Sequence, residues 1–152
     1  MGDAPEPREK LLQWAEEGHR NALELAGMLG VPTDAYACDP LTLAPALQNY
    51  VSRLPLGQFE QSDWATLHAD LTSYVADVLV HSHGARWQVA EDARGPLGFR
   101  YVIEVQGLDG STRRIDPADA VLAEFRDPPI EITRMLASAE PTLGLSHRLD
   151  GE

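Results

Sequence analysis

At Gly84 the spacing of apolar residues changes period, and no other stretch restricts the fold as strongly. Before it, Trp64, Leu67, Leu71, Val75, Val78 and Leu79 lie on one stripe of a helix turning once per ~3.6 residues. After it, RWQVA (residues 86–90) and FRYVIEVQ (residues 99–106) alternate, which sets Phe99, Tyr101, Ile103 and Val105 on one face of extended chain. Glycine suits such a junction because it closes a helix in the left-handed conformation without steric cost.

The flanking segments complete the pattern. From Arg8 to Leu29 the residues Leu11, Trp14, Ala15, Ala22, Leu25, Ala26 and Leu29 recur at helical spacing. Gly18 weakens the middle of that helix, and Gly30 before Val31 and Pro32 stops it. Thr33 to Pro40 reads as a turn-rich connector. A second helix is expected over Leu41–Leu54, with Pro45 moving its start towards Ala44. The third runs from a Ser62 cap to Gly84. Asp109-Gly110 marks a turn into a third strand, STRRI at 111–115. Asp116 and Pro117 form a helix start, and DPP at 127–129 repeats that signal for a last helix through Ala139.

The expectation is therefore one α+β domain over residues 8–140, with about three N-terminal helices, a three-stranded antiparallel meander and two short C-terminal helices. Residues 1–7 read as a flexible N-terminus and 141–152 as an irregular C-terminal tail. A sheet of three strands must cover a face, and the helix over 62–83 is the natural cover.

Charge narrows the functions. The chain carries a formal net charge of −12, with twelve acids against four bases in residues 1–82. Such a surface repels phosphate backbones and anionic lipids, which argues against nucleic acid and membrane surfaces; it would suit a basic protein partner, although an acidic face more often serves solubility alone. The opening MGDAPEPREK lacks the apolar core of a secretory signal, Glu6 stands where a myristoylation signal needs Ser or Thr, and Cys38 is the single cysteine. A cytoplasmic protein without disulfides is expected.

VLVHSHGARW (residues 78–87) holds the sharpest chemical question. On a helix His81 and His83 stand about 200° apart, so they cannot share an ion while both are helical. Asp77 and His81 are spaced i, i+4 and can pair, while a cation in the last turn is favoured by the helix dipole. A helix end explains all three residues; a metal site built from Asp77, His81 and His83 is the weaker reading, since histidine sites want three or four convergent ligands. Ser82 sits outside any nucleophile elbow, and Cys38 has no activating partner in sequence. No cofactor motif is present: DARGPLG (residues 92–98) lacks both the dinucleotide-loop spacing and the phosphate-binding lysine. Trp87, Phe99 and Tyr101 are expected to meet in the core.

The unit just described resembles a group of uncharacterised domains common in actinobacterial proteins, over roughly residues 20–125. It rests on the Gly84-Ala85-x-Trp87 entry into a strand, Gly110 in the later turn, and the Ile115-Asp116 exit into a helix. Tyr74 and its neighbours Val75 and Ala76 depart from the Tyr-Leu-Gly step of that group. The resemblance implies the α+β fold and the compartment, and no activity.

Two functions follow as expectations. The first is a non-enzymatic protein–protein interaction domain, immunity- or adaptor-like, acting through its acidic helical face. The alternative is a small-ligand-binding protein or enzyme whose pocket lies between the sheet and the helix over 62–83 and uses His68, Tyr74, His81 or Trp87. A homo-oligomer stands beside a monomer in either case, because the sheet has edges that can pair across a two-fold axis.

Overall fold

A computed structural model describes residues 7–94, 98–107 and 109–142. Its helices are α1 (Pro7–Met28), α2 (Thr33–Cys38), α3 (Ala44–Ser52), α4 (Gln61–His83), α5 (Pro117–Phe125) and α6 (Ile132–Thr142). Its strands are β1 (Arg86–Glu91), β2 (Phe99–Gln106) and β3 (Thr112–Ile115), antiparallel in the order β1-β2-β3. The chain is thus mixed helix and sheet, with helices before and after one meander, as the change of period requires.

The central element is α4, and the stripe that predicts it is the one it buries. Leu67, Leu71, Val75, Val78 and Leu79 are all sealed in the core beside Leu25, Leu47, Ile103, Val121 and Met135. Each such aliphatic side chain contributes about 1.5–3 kcal/mol by leaving water. Gly84 ends the helix at φ 66°, with its N–H bonded to the carbonyls of Leu79 and Val80. Asp116 caps α5 by accepting from Ala118 N, with Pro117 in the first turn.

Several expectations are corrected. Ser62 does not cap α4: Glu60 does, in a reciprocal box in which Asp63 returns a bond to the Glu60 backbone N–H. The stretch after Pro32 is not merely a connector, because α2 forms there and a 3-10 turn follows over Pro40–Leu43. Burial of Tyr36 and Leu43 holds these short pieces, and Asp39 accepts from Leu41 N at their junction. DPP at 127–129 does not open the last helix, which begins at Ile132. Its leading amides are satisfied by distant side chains instead. Glu124 accepts from Glu131 N at 2.9 Å, and Gln48 Oε1 accepts from Ile132 N at 2.7 Å. Pro7 belongs to α1, and Pro141 and Thr142 to α6; residues 1–6 and 143–152 lie outside those described.

The register sets up the site. Trp87 pairs with Ile103, Val89 with Tyr101, and Ile103 with Ile115, so these residues share the inner face of the sheet. One part of that face, Ile103, Val105 and Ile115, is closed by the helices. The part holding Trp87, Phe99 and Tyr101 is only partly buried, which corrects the expectation that these rings form core.

Candidate functional site

The open part of the sheet faces a groove of about 490 Å³ bounded by α1, α4, β1, β2 and the start of α5. Its origin lies in two helical stripes. On α1 the lining residues Trp14, Glu17, Gly18 and Asn21 follow the i, i+3, i+4, i+7 spacing of one face. On α4 the facing residues are Ala69, Thr72 and Ser73. Where the core pairs leucine with valine, these stripes set glycine against alanine and hydroxyls. The helices therefore cannot fill the space between them and the sheet.

Aromatic rings form the wall. Trp14 stands edge-on to Trp87 at 5.9 Å between centroids and lies tilted on Tyr101 at 4.9 Å. Phe99 meets Tyr101 edge-on at 5.4 Å. Trp14 was expected among the buried positions of the first helix; it is 44% exposed. Only the later half of α1, with Ala22, Leu25 and Ala26, enters the core, and the helix also packs on β1. A small annex of about 30 Å³ continues beneath the two tryptophans towards His19 and Asp77.

Polar groups are few and mostly engaged. His68 Nε2 lies 3.1 Å from the carbonyl oxygen of Ala118; a carbonyl only accepts, so Nε2 carries the proton and Nδ1 is the acceptor of the neutral ring. Asn21 donates to Asp70 Oδ1 and Ser73 Oγ. Arg100 is ringed by Asp92 at 3.5 Å, Asp116 at 3.0 Å and Asp119 at 3.3 Å. Thr72 Oγ1 is sealed from solvent and has no hydrogen-bond partner among the described residues, an arrangement that costs about 1–3 kcal/mol when nothing answers it.

Of the residues singled out from sequence, the structure brings His68 and Trp87 to the groove and leaves the others elsewhere. Tyr74 is fully buried, 6.4 Å from the ring of Tyr36, and burial pushes its phenol well above the ordinary range. His81 is exposed at the end of α4, one turn beyond Asp77. Asp77 does not pair with His81. Its Oδ2 accepts from Tyr36 Oη at 2.8 Å and meets His19 Nδ1 at 2.9 Å, so that it bolts α1 and α2 to α4. His83 is partly buried in the last turn of α4. Among the described residues, no three His, Cys, Asp or Glu side chains converge as a metal centre would require.

Sequence reasoning missed Trp14, Gly18 and Thr72 as parts of a site. The available signal was Gly18 itself, a mid-helix glycine one turn after a tryptophan, where nothing demanded a positive φ. Among the described residues no helix is long and apolar enough to cross a membrane. Compared with protein-family models, with curated proteins and with solved structures, the chain matches none.

Proposed function

We propose that this protein binds a small organic molecule carrying a flat apolar group, held in the groove between α1, the sheet and α4. The observation that carries the reading is the open wall of Trp14, Trp87, Tyr101 and Phe99 beside a space of about 490 Å³. Pockets for small ligands commonly measure about 300–1,000 Å³ and are lined by apolar rings with a few placed polar groups. An aromatic ring left half in water costs hydrophobic free energy that a bound ligand would return. A polar anchor is available in the remaining nitrogen of His68.

The groove is put ahead of an acidic docking face for a basic protein because four acids of the helical half are tied into the fold. Asp39 and Asp63 bond to backbone N–H groups, Asp70 accepts from Asn21, and Asp77 holds Tyr36 and His19. The reading is one of binding, and no reaction is assigned.

The test is a fragment screen followed by amide and indole chemical shifts. Hits should perturb the indole N–H signals of Trp14 and Trp87, and Gly18→Leu should abolish them. A Cβ at Gly18 meets only Ser73 Oγ at 3.8 Å, an ordinary van der Waals contact, so the first carbon of the new side chain fits, and Gly18→Ala is the control for folding. Hits that perturb other surfaces, or that bind Gly18→Leu unchanged, would remove the proposal.

A further inference from the structure

We infer that the ligand of this groove is an organic cation, an aryl- or alkyl-substituted ammonium. The inference rests on the binding reading above and adds its charge. Three independent features of the lining point the same way.

The first is the wall itself. The faces of tryptophan, tyrosine and phenylalanine rings are regions of negative potential, and an ammonium is attracted to such a face, the more so once desolvated. Trp14 and Trp87 meet edge to face, at 84°, and both line the groove. The second is the balance of fixed charge. Arg100 is the one guanidinium among the described lining residues; Asp116 pairs with it at 3.0 Å within the lining, and Asp92 and Asp119 pair with it from outside the lining. Glu17 adds a further carboxylate from α1, bonded to the neutral Gln13 amide at 3.0 Å. An anion entering here would meet a guanidinium already paired with carboxylates, and the carboxylate of Glu17 in the same lining. The third is the small pocket of about 30 Å³ that shares Trp14 and Trp87 with the groove and has the acidic side chain of Asp77 in its lining. The net charge of −12 draws cations to the surface before any contact is made.

The experiment titrates the intact chain with three aryl probes of similar size, followed by tryptophan fluorescence and calorimetry: benzyltrimethylammonium, the neutral N,N-dimethylbenzamide, and phenylacetate. The cation is expected to bind about tenfold tighter than the neutral probe and tighter still than the anion. Glu17→Gln should weaken the cation about threefold while leaving the neutral probe unchanged, and Trp14→Ala should weaken both. Both positions are exposed, so neither change threatens the fold. A neutral probe that binds as tightly as the cation, or a cation indifferent to Glu17→Gln, would overturn the charge assignment and leave the groove standing. Failure of all three probes to bind in a Trp14-dependent way would overturn the groove as well.

Discussion

Two sets of aromatic rings flank α4 and have opposite fates. Tyr36 and Tyr74 are fully buried, while Trp14, Trp87, Tyr101 and Phe99 border open space. Residue type does not separate them, since tyrosine occurs in both. What separates them is the opposing surface. The tyrosine pair belongs to the same buried cluster as Leu43, Leu47, Leu71 and Val75, whose branched side chains pack a core without open space. The tryptophan wall is opposed by Gly18, Ala69, Thr72 and Ser73, which are too small to reach it. One helix thus carries a core face and a groove face about 130° of rotation apart.

The harshest way to probe that contrast is truncation. Tyr74→Ala should cost about 3–5 kcal/mol of unfolding free energy, measured by urea titration, because a sealed ring leaves a cavity. Trp14→Ala, at a ring already 44% exposed, should cost about 1 kcal/mol. Equal losses would mean the two sets are not different in kind. A finer cut separates the two tyrosines. Tyr36→Phe removes the bond to Asp77 and should cost about 1.5 kcal/mol. Tyr74→Phe removes a hydroxyl that is buried without a partner among the described residues, so it should be neutral or stabilise by up to about 1 kcal/mol. Thermal unfolding of both variants side by side tests the difference in sign.

The smallest effect concerns the polar seam where α1 meets α4. Asp70 is partly buried, and burial raises its carboxyl above the ordinary range despite the bond from Asn21. An acid raised by folding holds its proton more firmly in the folded chain than in the unfolded one. Its contribution is therefore complete below the ordinary carboxylate pKa and declines as pH climbs through the folded value. Asp70→Asn should flatten that decline and add about 0.5 kcal/mol at neutral pH, where a stability–pH profile of the two proteins would part.

The legible part of this fold is the part written locally. α4, β2 and α5 were predictable because period and stop signals lie within each segment, as in Asp116-Pro117 and Gly84. α2 was not, since a helix of 6 residues is shorter than the pattern that would identify it and depends on the burial of Tyr36. The groove was half legible. His68 and Trp87 could be named as candidates, but the space beside them exists because Gly18 faces residues more than fifty positions away. Small side chains leave no periodic trace when the partner that fails to fill the gap is remote. Asp77 was misassigned for a related reason: His81 was the nearest base along the helix, whereas His19 and Tyr36 are brought to it by tertiary packing.

The start of α6 carries a consequence for the order in which the molecule can be put together. Gln48 accepts from Ile132 N and donates to Ile130 O, and Glu124 accepts from both Glu131 N and Arg134. The last helix thus borrows its opening turn from α3 and α5. During synthesis from the N-terminus those lenders exist before the borrower, so its amides have partners waiting. A circularly permuted chain that began near Asp127 would reverse the sequence of events and expose α6 with its leading amides bare until the rest of the fold arrived.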